Sequence, residues 1–294
     1  MKPGAYGPFP YSAIIDRPPL KWPNGARVAV WVNVNLEFFP FNERVPQTHG
    51  HIPDVPGWSR TDYGNRVGVF RVMEVMDRFG VRGTAALNAE VCDHHPRIIE
   101  RAKELGWGVI GHCQSNSRPL NEIPADSERA VIRATLDTIE KCWGTRPTGW
   151  LGASMAETAD TLEHLAAEGI AYTADWLNDD QPFLLDVRRP DGSRMVALPF
   201  GQETHDKGSF QRRSATADSY AQMLKRTFDV LWREGGRVMP IALHPFVIGV
   251  PARIGGLEDA LRHIAGHDGV WLATADEIVA AYLAQDPKLL SLEI

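Results

Sequence analysis

The chain has 294 residues, 44% hydrophobic and 23% charged, with a formal net charge of −6, the balance of a folded globular protein. No Lys/Arg run exceeds two residues and no apolar run nears the roughly 20 residues that span a bilayer, so neither nucleic-acid nor membrane partners are expected. Three cysteines without a CxxC spacing argue against a disulfide framework or a thiolate zinc site, and the N-terminus lacks the apolar core of a signal peptide, so a cytoplasmic protein is expected.

The first 25 residues are rich in Pro and Gly and are expected to wrap the outside of the fold. "RVAVWVNVN" (27–35) is a β-branched run that predicts a buried strand. "NRVGVFRVMEVMDRFG" (65–80) carries apolar residues at helical spacing and ends on a Gly suited to a C-cap. A strand at "RGTAALN" (82–88), a helix at "HPRIIERAKELG" (95–106), a strand at "WGVIGH" (107–112) and a helix at "DSERAVIRATLDTIEKCWG" (126–144) follow. The alternation continues through "TGWLGA", "ETADTLEHLAAEG", "IAYTAD", "MVALPF", "SYAQMLKRTFDVLWREGG", "RVMPIALH", "GLEDALRHIAG", "VWLATA" and a last helix, "DEIVAAYLAQ". Strands alternating with helices predict βαβ units and a mostly parallel sheet. Seven or so strands with no linker predict one α/β barrel domain over 1–294, with a doubly wound open sheet as the alternative. Glycine-rich phosphate loops are absent, which leaves nucleotide binding unsupported.

In a parallel α/β barrel the active site lies at the C-terminal ends of the strands. Those ends carry Asn33, Asn35 and Glu37, then Asn88, then His112 and Asn116. Trp150, Asp175 with Asn178, Asp179 and Asp180, Glu203, His205 and His244 complete the set. Each alone has a plain reading, because polar residues favour strand ends. Convergence from several strands points to a site, since many buried polar groups need partners. His49 and His51 lie in a long loop that could form a lid. His164, His263 and His267 fall in or just after helices and read as packing or surface residues.

Six segments in order give the chain a family likeness: "WPNGARVAVWVNVNLE", "DYGNRVGVFRVMEVMDRFGV", "ELGWGVIGH", "WLNDDQPF", "LPFGQETHD" and "LHPFVIGVPARIGGLEDALRHI". It resembles the polysaccharide-deacetylase (NodB-like) superfamily, on the side of allantoinase-like and cyclic-imide-hydrolase-like enzymes. The resemblance implies a distorted (β/α) barrel, usually of seven strands, that hydrolyses amide C–N bonds. Its sugar deacetylases carry two aspartates after the first strand and an HxxxH pair after the third, which supply a base and a metal trio. The matching positions here hold Asn33, Asn35, His112 and Asn116. Zn²⁺ is held by Cys, His or carboxylate, and one histidine with two amides is a poor set for it. No cofactor is therefore expected, with Glu37 and His112 leaving room for at most a weak divalent ion. The "NLE" at 35–37 turns the reading towards cyclic amides.

Without a metal, side chains must activate water, hold the oxyanion and protonate the leaving nitrogen. Glu37 is the candidate base with His112 as its partner. Asn35 and Asn116 offer N–H donors to the oxyanion, and His244 is placed to protonate the nitrogen. Trp150 and Trp176 are candidate walls for a flat ring, Arg66 a candidate contact to an electronegative substituent, and Asn33, Asn88, Asp179 and Glu203 further substrate contacts. Cys113 is a neighbour of His112 and should face the opposite way. The expected assembly is a homo-oligomer acting on a small molecule. Two alternatives stand beside ring opening: metal-dependent deacetylation of N-acetylated sugars, and a ligand-binding homologue without catalysis.

Overall fold

The computed structural model describes residues 6–45, 51–201 and 203–285; His49 of the expected lid lies outside them. Nine strands are present among the described residues: β1 (Val28–Leu36), β2 (Gly83–Leu87), β3 (Gly108–Gly111), β4 (Gly149–Trp150), β5 (Tyr172–Thr173), β6 (Phe183–Arg188), β7 (Arg194–Ala197), β8 (Arg237–Leu243) and β9 (Val270–Leu272). They form one sheet in the order β6-β7-β5-β4-β3-β2-β1-β8, with β9 also on β1. Every pairing is parallel except β6 on β7. Along β1, β9 accompanies Val28–Val30 and β2 takes over from Val32. The sheet curls into an open barrel, and a parallel bridge between His205 and Ala242 links the chain after β7 to β8.

This is the expected α/β barrel, with nine strands among the described residues where about seven were expected, one of them antiparallel. β6, "FLLDVR", was not foreseen, yet it alternates as a one-sided strand should: Phe183, Leu185 and Val187 are buried, while Asp186 and Arg188 are exposed. The first long helix also starts earlier than its periodicity predicts. It begins at Val55–Tyr63, where Asp54 accepts from Gly57 N and Pro56 occupies the first turn. It then passes through a π-helical turn, Gly64–Gly68, into Val69–Arg78.

The alternation along β1 organises the core. Val28, Val30, Val32, Val34 and Leu36 face outwards and pack with Val69, Val72, Met73 and Leu257 from the surrounding helices. Ala29 and Trp31 face the barrel interior with Ala86, Ile110 and Leu198. A period of two puts Asn33, Asn35 and Glu37 on that same inner face. Trp31 thus floors the barrel, and the polar residues stack above it towards the strand's C-terminal end.

The N-terminal stretch runs along the outside: Pro8 O accepts from Asp186 N, and Trp22 Nε1 donates to Arg237 O. No helix among the described residues is long and apolar enough to cross a membrane.

Candidate active site

A cavity of about 270 Å³ opens at the C-terminal ends of the parallel strands. Asn35 enters it from β1 and Glu37 from the residue just after β1, His112 and Asn116 from the chain after β3, and His244 from the residue just after β8. All five residues expected to do chemistry therefore share one pocket. Leu151, Met155, Leu177 and Phe200 supply apolar walls, while His205, Lys207, Arg212 and Arg213 come from the chain after β7.

The centre is a row of three buried side chains. Asp206 is fully buried; its Oδ1 lies 2.7 Å from His244 Nδ1, and its Oδ2 accepts from the His244 backbone N at 2.7 Å. On the other side of the ring, His244 Nε2 lies 3.4 Å from Glu37 Oε1. Burial alone would lower the His244 pKa, but the charges of Asp206 and then Glu37 outweigh it and raise the imidazole to about 9. Burial likewise works to raise the Glu37 carboxyl, and is outweighed by the His244 charge and by the nearby His112 and His244 imidazoles, so its pKa falls well below the usual range. At neutral pH the row reads carboxylate, imidazolium, carboxylate. His205 packs its ring 4.8 Å from that of His244, and burial followed by the His244 charge lowers it to about 4. Its Nδ1 accepts from Gly208 N, so the neutral ring carries its proton on Nε2.

His112 is set from behind. Its Nδ1 lies 2.6 Å from Leu151 O, and a carbonyl can only accept, so Nδ1 carries a proton. The next residue, Gly152, donates its backbone N to Asp175 Oδ1, which anchors that loop. Burial raises Asp175 to about 6 against the hydrogen bonds from Gly152 and Thr173. The other His112 nitrogen, Nε2, lies 3.8 Å from Glu37 Oε1, beyond direct hydrogen bonding. His112 Nε2, Glu37 Oε2 and Asn116 Oδ1 are all buried without a protein partner. Such groups call for a ligand or water donor. Asn35 already spends one amide N–H on Leu243 O, which leaves it one donor for the pocket.

The residues expected to bind substrate are mostly elsewhere. Asn33 sits one layer below Asn35, buried, with both amide atoms unpartnered and no face on the pocket. Asn88 accepts from Phe38 N and donates to His112 O, tying together the chain ends after β1, β2 and β3. Trp150 is core: its ring fills the space beside Gly111, where a Cβ would come within 2.6 Å of it. Trp176 packs edge-on against Phe9. Asp179 pairs with Arg17 at 2.8 Å and does not reach the pocket wall, and Glu203 stands behind that wall, holding Arg213, which lines it. Arg66 is 74% exposed and bound to Asp62 one helical turn away. Cys113 takes a left-handed backbone (φ 59°), which turns its thiol into the cluster of Leu120, Ile132 and Leu136; burial pushes its pKa up to about 12.

Asp206, Lys207 and Arg212 were not foreseen. Asp206 closes "THD" and the two cations follow it, in a segment with no periodicity; the available signals were that acidic residue beside His205 and the place of "LPFGQETHD" in the family likeness.

The metal trio implied by the resemblance, Asn35, His112 and Asn116, does not fit zinc, since it offers one imidazole and neutral amide oxygens. Among the described residues, the His/Asp triads whose ligand atoms lie within 4.8 Å of one another are His205–Asp206–His244 and Asp229–His263–His267. Neither includes His112. In the first, Asp206 and His244 are already bound to each other.

Among curated proteins, the chain is 25% identical over 301 residues to a Schizosaccharomyces pombe protein named "Putative polysaccharide deacetylase", covering 90% of this chain and 93% of the other. Among solved structures it superposes on a probable polysaccharide deacetylase from Pseudomonas aeruginosa PAO1 with a TM-score of 0.82 and 25% identity, covering 92% of this chain and 95% of that one. It also superposes on the PuuE allantoinase with a TM-score of 0.83 and 24% identity, covering 96% and 97%. No family model matches.

Proposed function

The chain belongs to the polysaccharide-deacetylase superfamily, and from that premise we propose that it opens a cyclic amide (an allantoin, a hydantoin or a cyclic imide) without a metal ion. The row Asp206–His244–Glu37 carries this reading, because it holds a protonated acid beside an ionised base. A water donating to Glu37 and His112 Nε2, both short of a partner, is placed to attack the ring carbonyl. Glu37 takes its proton as the C–O bond forms. The free N–H of Asn35, or the Asn116 amide, steadies the oxyanion. His244 passes its Nε2 proton to the ring nitrogen as the C–N bond breaks. The proton held by Glu37 then returns across the 3.4 Å to His244 Nε2, restoring both groups.

A carboxyl held well below its usual pKa is a weak base. Imides and hydantoins suit it, since their nitrogen leaves more readily than that of a simple acetamide. The cavity of about 270 Å³ sits at the small end of ligand pockets, which run from about 300 to 1,000 Å³, and favours a compact ring.

One observation favours the metal-dependent deacetylase instead. His112 gives its Nδ1 proton to a carbonyl and presents Nε2, as a metal-bound histidine does.

Turnover of hydantoin, allantoin, succinimide and N-acetylglucosamine oligomers, with and without chelator, decides between them. Ring opening that survives chelator, by protein holding substoichiometric transition metal, is expected. Chelator-sensitive deacetylation without any ring opening would overturn the reading.

A further inference from the structure

The chain as a whole is acidic, with a net charge of −6, yet its pocket is not. Of the ionised groups on the wall, Glu37 is the one carboxylate, and it is matched by His244. Arg213 is held by Glu203, Nη2 to Oε1 at 2.9 Å. That leaves Lys207 and Arg212. Among the described residues neither has a carboxylate within ion-pair distance, and the Lys207 ammonium lies 5.9 Å from the Phe246 ring centroid. Lys207 is close enough to Glu37 and His205 to depress the pKa of each. Both cations come from the chain after β7, where the π-helical turn Gly208–Arg212 brings Gly208 and Arg212 to the wall. Such turns recur at functional sites. Leu151, Met155 and Leu177 give the pocket apolar lining as well.

Cations left unpaired at the mouth of a pocket in an anionic protein attract anions and repel cationic ligands. We propose that Lys207 and Arg212 form an anion subsite, and that the substrate is a cyclic amide bearing a carboxylate beside its reacting ring. The proposal rests on the ring-opening reading for its chemistry but not for its binding. The Arg212 fork suits a carboxylate in two-point contact, and Lys207 supplies a point charge nearer the reacting centre. The subsite selects the substrate and fixes which end of the ring faces Glu37.

Two measurements test this on the whole protein. The first compares kcat/KM for hydantoin and for hydantoin-5-acetate. The wild type should prefer the acid by about tenfold or more at low salt, and Arg212→Gln and Lys207→Met should each erode that ratio severalfold, as should 0.3 M salt (roughly a 6 Å screening length). The second is calorimetric titration with succinate, which needs no turnover. Its Kd should weaken about tenfold or more in the double variant, with thermal melting confirming the fold. If neither hydantoin is opened while succinate binding depends on both cations, the reaction falls and the subsite stands. If both hydantoins are opened with equal efficiency and the variants change nothing, the subsite falls and the reaction stands. Failure of succinate to bind, with no turnover, overturns both.

Discussion

Asp206→Asn removes one charge from the centre of the site while keeping its shape. The carboxylate accepts from His244 Nδ1 and from the backbone N atoms of His244 and Lys207, at 2.6–2.7 Å. An asparagine retains one acceptor oxygen, so part of this set faces an NH₂ group instead. Asp206 is the largest of the influences that raise His244 from 6.5 to about 9, while burial acts in the opposite direction. Without it, His244 should return to near its ordinary value. At pH 8 the protonated fraction then drops from about nine-tenths to a few per cent, a loss of about 30-fold in the acid form. Ring opening at pH 8 should fall by a similar factor, and the alkaline limb of the kcat/KM profile should move from near pH 9 to near pH 6.5.

A raised histidine pKa also stabilises the fold. That contribution is complete below pH 6.5 and is lost as pH climbs through about 9. The melting-temperature gap between wild type and variant should therefore narrow above pH 9. The assays are initial rates on hydantoin from pH 5 to 10 and an NMR titration of the imidazole. An alkaline limb that stays near pH 9 in a folded Asp206→Asn variant would refute His244 as the acid.

Glu37→Gln should keep the pocket's shape and lower turnover by ~10²-fold or more, with KM changed much less, in steady-state assays. It should also lower the His244 alkaline limb, because Glu37 helps to raise it. Cys113→Ser should leave turnover intact, since the thiol faces a core cluster, and should destabilise the protein by about 1 kcal/mol in denaturant unfolding, because the hydroxyl oxygen keeps the acceptor role towards Ala153 N while its O–H is buried among apolar groups. An inactive Cys113→Ser beside a fully active Glu37→Gln would point to covalent catalysis through the thiol.

Much of the site was legible because its signals are local. The period-two pattern of "VNVNLE" places Asn33, Asn35 and Glu37 on one face of β1, and apolar runs that stop mark His112 and His244 as strand ends. A parallel barrel then gathers such ends at one mouth. The depth of each residue along the barrel was not legible from that pattern. Asn33 and Asn35 share a face, but one closes the layer beneath the pocket and the other lines it. Trp150 has the composition of a ring wall, and only its packing beside Gly111 makes it core. Arg66 could reach inward on a helical wheel, yet Asp62 holds it at the surface.

Charge was the least legible property, since it is set by contacts across the sequence. His244 owes its proton to Asp206, 38 positions earlier, and that pair forms only because the chain after β7 crosses to β8 at His205 and Ala242. The same crossing delivers Lys207 and Arg212 to the pocket wall. Strand alternation is decided within a few residues by backbone geometry. The pKa of a buried group is decided by whichever charges the tertiary fold brings within a few ångströms of it.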